Sequence, residues 1–383
     1  MKILHLADLH LGKSVEGLSM IESQQHVFKQ AIKLCKDKNI HHVIISGDVY
    51  DRSIPSEEAV SLLNDFLSTC IIDEHIKVYI ISGNHDSKER LSCFNDILER
   101  QGLYIDTHIK DDLSMNKHVI KEDGLVINIY SLPYIYPGEV REMSNDPSIK
   151  SFELSIKKIL DANKVNKDEI NILNTHYFVT SDKEPLRSDS ESKASVGAIE
   201  QVSFTLFDDY DYVALGHLHC PQHIGRDTVR YAGSPLRYSV SEIEQDKCFT
   251  VINITSKEDV KIEKIDINPL YEFIYLEGSV DELTKDSVTK DYRIIFFKLT
   301  DTTHVENASY RLKIKYPHFV GLKYINIKED FEENSSLNKE EDFEELTIEE
   351  QFHRFFKFIN DKELDDLQSQ IIKEICEELE GEE

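Results

Sequence analysis

The sequence predicts an α/β fold, and two observations along its first half predict it. Short β-branched runs alternate with stretches whose apolar residues recur at helical spacing. The runs are also nearly continuous in apolar residues, as in strands covered on both faces of a sheet.

The first strand is expected at Lys2–Ala7, followed by an amphipathic helix near 22–38 carrying Val27, Ala31 and Leu34 on one face. A second strand, His42–Ser46, leads to a second helix near 56–70, with Ala59, Leu62, Leu63 and Phe66 at helical spacing. Strands at Val78–Ser82, Leu125–Tyr130, Asn171–Thr175 and Asp211–Leu215 complete this part. Residues 181–200 are polar and read as a long loop; loops of that length in compact domains are usually functional or mobile.

These elements fall in a first domain, residues 1–268. Near Pro269 a smaller α+β unit begins and runs through 269–327. Its strands are expected at Tyr271–Leu276, Tyr292–Leu299 and Val320–Ile327, with a helix within 304–315. The stretch 328–346 is acidic and poor in apolar residues, as in a linker. Residues 347–383 turn helical again. Thr347-Ile-Glu-Glu350 has the pattern of a capping box, with Ile348, Phe352, Phe355, Phe356 and Ile359 behind it on one face. A second helix follows through Leu364, Leu367, Ile371, Ile375 and Leu379. Such a hairpin exposes more apolar face than it can bury within itself. It either docks on its own chain or binds another protein.

Composition narrows the function classes. The chain has 383 residues, 40% hydrophobic and 30% charged, and no apolar run reaches the length of a membrane span. The N-terminus enters a strand without signal-peptide architecture. Cys35, Cys70, Cys93, Cys220, Cys248 and Cys376 are widely spaced and lack a CxxC pair, so reduced thiols and a cytoplasmic location are expected. The net charge is −28, unevenly spread. Residues 329–383 carry 21 acidic and 5 basic side chains, leaving −12 for the first 328. No basic stripe is present to hold a polyanion by counterion release, so bound metal ions or a partner must supply positive charge.

Five segments carry the chemistry: Asp8-Leu-His10, Gly47-Asp48-Val-Tyr-Asp51, Gly83-Asn84-His85-Asp86, Asn174-Thr-His176 and Gly216-His217-Leu-His219. Each follows an expected strand, and loops at strand C-termini converge on one edge of an α/β sheet. In Asp-x-His and His-x-His the two side chains point the same way from extended backbone. Carboxylates, an amide and imidazoles without thiolates suit Mn²⁺, Fe²⁺ or Zn²⁺. Asp8, His10, Asp48, Asn84, His176, His217 and His219 are too many ligands for one ion, so two are expected, with Asp48 as the natural bridge. Any one of these motifs alone would more often be structural. Five in this order, each at a strand end, are not.

This pattern of D-x-H, G-D, G-N-H-[DE], H and G-H-x-H resembles the calcineurin-like metallophosphoesterases. The resemblance implies a four-layer αββα sandwich, with Asp8, His10, Asp48 and His219 on one metal and Asp48, Asn84, His176 and His217 on the other. It places His85 over the scissile phosphate as a donor rather than a ligand. Asp86 would orient His85 or, more simply, cap the following helix. The residues Ser46–Ser56, Asp211–His219 and Tyr231–Leu236 are closest to the nuclease branch of that superfamily, which acts in double-strand-break repair. That closer likeness implies Mn²⁺-dependent exonuclease action on duplex DNA ends and endonuclease action on single strands or hairpins. It also implies a capping role for 269–327, docking of a coiled-coil ATPase on 347–383, and a homodimer within a heterotetramer. In this branch the position of Asp51 can hold a catalytic histidine, so Asp51 either assists catalysis, positions a ligand or caps a turn. His5, His26, His41, His42, His75 and His108 are read as surface or packing residues, Cys220 and His223 as structural. Tyr134 and Tyr136 are read as packing rather than stacking on bases. A phosphatase or cyclic-nucleotide phosphodiesterase with the same metal site, and a non-catalytic DNA-end scaffold, are the alternatives.

Overall fold

The computed structural model describes residues 1–327 apart from 123, 192–200 and 289, and beyond them Phe352, Leu364, 368–370 and Ile372. It divides into two units. The first comprises residues 1–300 and 305–324, the second 301–304 and 325–383. In the second unit Phe352, 368–370 and Ile372 are helical. The expected linker 328–346 and most of the expected hairpin 347–383 lie outside the described residues.

The first unit is built on two six-stranded sheets. In chain order the strands are Lys2–Leu6 (β1), His42–Ser46 (β2), Lys77–Ile81 (β3), Leu103–Asp106 (β4), Asn116–Glu122 (β5) and Leu125–Leu132 (β6). Then come Ile170–His176 (β7), Tyr212–Gly216 (β8), Gln222–Ile224 (β9), Arg226–Tyr231 (β10), Cys248–Ser256 (β11) and Asp259–Asp266 (β12). One sheet has the order β12-β11-β1-β2-β3-β4 and the other β9-β10-β8-β7-β6-β5. In the first, β1–β4 run parallel, with β4 at the edge, and in the second β6, β7, β8 and β10 do; the remaining strands pair antiparallel at the other edges.

The layers follow from which faces are apolar. Ile3, Ile44 and Tyr79 from one sheet meet Ile129, Ile172 and Tyr212 from the other in a core between them. Leu4, Val43, Ile45 and Val78 point the opposite way, onto the helices Ile21–Lys38 (α1) and Glu57–Ser68 (α2). Leu173, Val213 and Leu215 do the same toward the helices Pro137–Ser144 (α3) and Phe152–Ala162 (α4). The result is helix, sheet, sheet, helix, with central strands apolar on both faces because both faces are covered. The helix starts obey local chemistry: Ser56 and Ser151 accept hydrogen bonds from Ala59 N and Leu154 N.

Three parallel strands, Phe273–Gly278 (β13), Ile294–Leu299 (β14) and Phe319–Tyr324 (β15), form a small sheet with β14 in the middle. The helices Val280–Thr284 and Ala308–Lys315 cover it around Ile295, Phe297, Leu299 and Leu312. Phe273, Ile294 and Val320 belong instead to the core beneath α1, so the small sheet is continuous with the larger body. Tyr275 Oη donates to Val240 O at 3.2 Å.

Candidate metal centre

The parallel strands of both sheets end on the same side, and their C-terminal loops interlock. Asp8 N donates to Gly47 O, His10 N to Asp48 O and Leu11 N to Val49 O, which zips the loop after β1 to the loop after β2. The loop after β3 is tied on by Asp86, whose carboxylate accepts from Val49 N (3.1 Å), Tyr50 N (2.9 Å) and Gly83 N (2.9 Å). This corrects the expected cap: Ser87, not Asp86, caps the short helix Lys88–Leu91, accepting from Arg90 N. A carboxylate that satisfies three amide donors at once has few lone pairs left for a helix end.

Close approach explains two of the glycines. A Cβ on Gly83 would sit 2.2 Å from Asp48 Oδ1, and one on Gly216 would sit 1.9 Å from Ser46 O. Backbone strain gathers in the same place: Asp8, His10, Asp48 and His217 all have φ between 42° and 109°, rarely occupied by L residues.

All seven candidate ligands come together. Asp8, His10 and His219 offer atoms within 4.8 Å of one another, as do Asp8, Asp48 and His176. His10 Nε2 faces His219 Nε2 at 3.0 Å and Asp48 Oδ2 at 3.6 Å. His176 Nε2 lies 3.3 Å from Asp48 Oδ2 and 3.1 Å from Asn84 Oδ1, and His217 Nδ1 lies 3.2 Å from the same amide oxygen. Asp48 therefore stands between two clusters, Asp8/His10/His219 and Asn84/His176/His217. His85 is the eighth member: it forms a third close group with His10 and Asp48, and its ring stands perpendicular to that of His10 at 4.9 Å. Its backbone N–H donates to Asp48 Oδ1, and its Nδ1 lies 3.0 Å from Asp51 O. The Asp51 carboxylate lies 2.8 Å from Lys13 Nζ and 3.6 Å from His10 Nδ1.

Burial sets the electrostatics. It pushes Asp8 up to about 7 against the pull of His176 and His219. Burial acts the same way on Asp48, but His176, with His10 and His85, outweighs it and holds that carboxyl well below the usual range. His176 is raised to about 9, burial being overcome by Asp48 and Asp8. Burial and the neighbouring His176 push His217 down to about 3. Asp8 Oδ2, fully buried, has no hydrogen-bond partner among the described residues. A buried carboxylate oxygen without a donor, and two imidazole nitrogens aimed at one point, fit divalent cations.

Other residues fall as expected or nearly so. His5 is buried between the sheets, bonded to Tyr212 Oη and Ser46 Oγ, each at 2.9 Å. Tyr134 packs between Phe152 and Tyr177, while Tyr136 remains 55% exposed. Sequence reasoning missed Gln24 and Tyr238, which hold the loop after β1 through Leu9 O and His10 O. It also missed Glu242 and Lys247, buried behind His219. The Ser239-x-x-Glu242 spacing disguises that glutamate as a helix cap.

The calcineurin-like phosphoesterase family matches residues 1–221. Over 381 residues the chain is 32% identical to the SbcD component of the nuclease SbcCD from Staphylococcus epidermidis, covering 98% of each protein. Among solved structures, one from Thermus thermophilus is 12% identical with a TM-score of 0.40, over 69% of this chain and 98% of that one. A dimetal phosphatase from Danio rerio is 11% identical with a TM-score of 0.41, over 70% and 98%.

Proposed function

We propose, from the premise that this chain belongs to the calcineurin-like phosphoesterase family and to the SbcD-type nucleases within it, that it cleaves DNA as an exonuclease on duplex ends and an endonuclease on single strands or hairpins. The carrying observation is the convergence of seven hard or borderline ligands on two adjoining positions, with Asp48 between them.

In this reading Asp8, His10, Asp48 and His219 hold one divalent ion, and Asp48, Asn84, His176 and His217 hold the second, Mn²⁺ being the proposed metal. Such a pair, when bound, neutralises phosphate charge and makes a water acidic enough to attack phosphorus at neutral pH. The chain's own groups do the rest. His176 donates through Nδ1 to Ser46 O at 2.8 Å, which leaves Nε2 as its ligand atom. His85 donates through Nδ1 to Asp51 O, so Nε2 is the nitrogen assigned to the leaving oxygen. Asp51 acts through position, by its carbonyl on His85 and its carboxylate beside His10 and Lys13.

The wider assembly is proposed on the same basis. The Staphylococcus epidermidis relative is part of an SbcCD nuclease. An SbcC-type coiled-coil ATPase is taken to dock on residues 347–383 and to supply positive surface that an acidic chain lacks. The small sheet of β13–β15 is taken as a cap restricting the path of DNA. A homodimer is supported by a groove of about 690 Å³ lined by Leu63, Leu67, Ile71, Leu91 and Leu98. Its lining also includes Ile72 and Phe94, which with Ile97 stand 65–73% exposed, Phe94 at φ 64°. A contiguous exposed apolar surface of this kind suits burial against a second copy across a two-fold axis. The protein is taken to act in the cytoplasm, in DNA end processing during repair and recombination; among the described residues no helix is long and apolar enough to cross a membrane.

The test offers the purified chain with Mn²⁺ three substrates: linear duplex DNA, a DNA hairpin and a small aryl phosphate ester. Turnover of both DNAs above the ester is expected. Rapid ester hydrolysis without DNA cleavage would move the substrate to a small phosphoester.

A further inference from the structure

Behind His219, on the side away from His10, stands a carboxylate with no part in the chemistry assigned to the metal centre. Glu242 is fully buried on the short turn Val240–Glu242. Its Oε1 lies 3.2 Å from His219 Nδ1, and its Oε2 accepts from Lys247 Nζ at 2.6 Å. Ser190 Oγ is 2.7 Å from the same imidazole nitrogen and donates to Glu242. Lys247, its side chain 4% exposed, also donates to His219 O at 2.8 Å and to Ser234 Oγ at 2.9 Å. His219 is thus held at its ring by Ser190 and Glu242, at its carbonyl by Lys247 and at its backbone N–H by Glu191, which accepts at 2.8 Å.

A buried ion pair is a weak device for stability, since desolvating two charges offsets most of their attraction. The side chains at this spot point instead to the imidazole they surround. An ionised carboxylate can only accept, so it fixes the proton on the nitrogen it faces. A ligating imidazole needs that arrangement, with the far nitrogen protonated and hydrogen-bonded and the near one free. The two candidate metal positions differ here. His176 is oriented by the neutral carbonyl of Ser46, whereas His219 is oriented by Ser190 Oγ together with Glu242, the carboxylate that takes the Ser190 proton and so leaves its oxygen to accept from Nδ1.

We propose that Glu242 is a positioning residue for the metal centre, holding His219 in the tautomer that turns Nε2 toward Asp8 and His10, with Lys247 keeping Glu242 in place. This inference rests on His219 being a ligand, as proposed for the metal centre. It predicts that loss of Glu242 weakens one metal position and spares the other.

The experiment measures Mn²⁺ stoichiometry and affinity of the full chain by equilibrium dialysis with metal analysis, alongside the melting temperature of the metal-free protein. Glu242→Gln alone would strand the buried Lys247, so the main variant is Glu242→Gln with Lys247→Met, in which both charges are removed. The expected result is a ~10–100-fold weaker affinity for one of two Mn²⁺ ions, the other unchanged, and a metal-free melting temperature near that of the parent. Two Mn²⁺ bound as tightly as in the parent would overturn the proposal. If the double variant does not fold, Glu242→Asp replaces it, with the charge kept and the reach shortened; selective weakening supports the proposal and unchanged binding overturns it. A His219→Ala control separates the levels. If that variant still binds two ions at parental affinity, His219 is no ligand, and the underlying reading falls together with the proposal.

Discussion

Within the one centre, neighbouring groups have their protons driven in opposite directions. Asp48 is held charged and His176 is raised to about 9, while His217 is pushed down to about 3. Their types and spacing were legible in the sequence because hard ligands at strand ends leave a recognisable pattern. His85 stands apart by its hydrogen bond to Asp51 O, and the prediction at this scale is that His85→Gln binds Mn²⁺ normally but cleaves about 10²–10⁴-fold more slowly. Metal analysis beside a cleavage time course checks it; retained cleavage would remove His85 from the chemistry. Gly216→Ala would drive a Cβ into Ser46 O and should cost about 3 kcal/mol, read from denaturant unfolding. His5 gives a pH effect. Burial, and then Arg230, push it down to about 3, against about 6.5 in an unfolded chain. Its neutral form is the folded one, so the stability it contributes is present above about pH 6.5 and lost as pH falls toward 3. Between those limits His5→Gln should flatten the fall in unfolding free energy by about 1.4 kcal/mol per pH unit. Parallel curves for parent and variant would show that His5 does not titrate on unfolding. Glu242 and Lys247 were not legible. Nothing local marks a glutamate 23 residues beyond His219 as its partner, and the serine three residues before it suggests a cap.

At the scale of elements, six of the eight parallel strands of the two large sheets were legible to within two residues because central strands are apolar on both faces; β4, four residues long, and β10, polar over its first half, were not. The expected Val78–Ser82 is Lys77–Ile81, and the expected Asn171–Thr175 is Ile170–His176. The antiparallel edges were not. β12 has no fully buried residue, and β11 is placed beside β1 only by pairing across some 250 residues, such as Lys2 with Asn253. Asp86 was misread for the same reason: its three amide partners lie on another loop as well as its own. The helices α1 and α2 were legible by periodicity, whereas α3 and α4 were not among the expected elements, and the packing of the first pair can be tested. Phe66 of α2 stacks on Phe28 of α1 with centroids 4.0 Å apart, and both are buried. Phe66→Ala should therefore cost about 3–5 kcal/mol, seen as a lower denaturation midpoint with an unchanged slope. A loss below about 1 kcal/mol would mean that the two helices do not share a packed core.

For the whole molecule, the question is how one acidic chain with a metal centre comes to act on a polyanion. The proposed answer uses metals at the centre, a second copy at the groove and an ATPase partner at the C-terminal segment. Phe94→Asp places a charge on the proposed two-fold contact and should shift the chain from dimer to monomer in light scattering after size exclusion. An unchanged mass would remove that face from the dimer. Removing residues 347–383 should abolish co-purification with SbcC while Mn²⁺-dependent cleavage persists, and continued co-purification would place the docking element elsewhere. The central claim is that this centre hydrolyses DNA with two metals. Cleavage of end-labelled linear duplex by the purified chain, with Mn²⁺, with chelator, and with His85→Gln, tests it most directly. Products that require both Mn²⁺ and His85 are predicted. Cleavage that survives the chelator would contradict the two-metal mechanism, and cleavage that His85→Gln leaves undiminished would remove His85 from it.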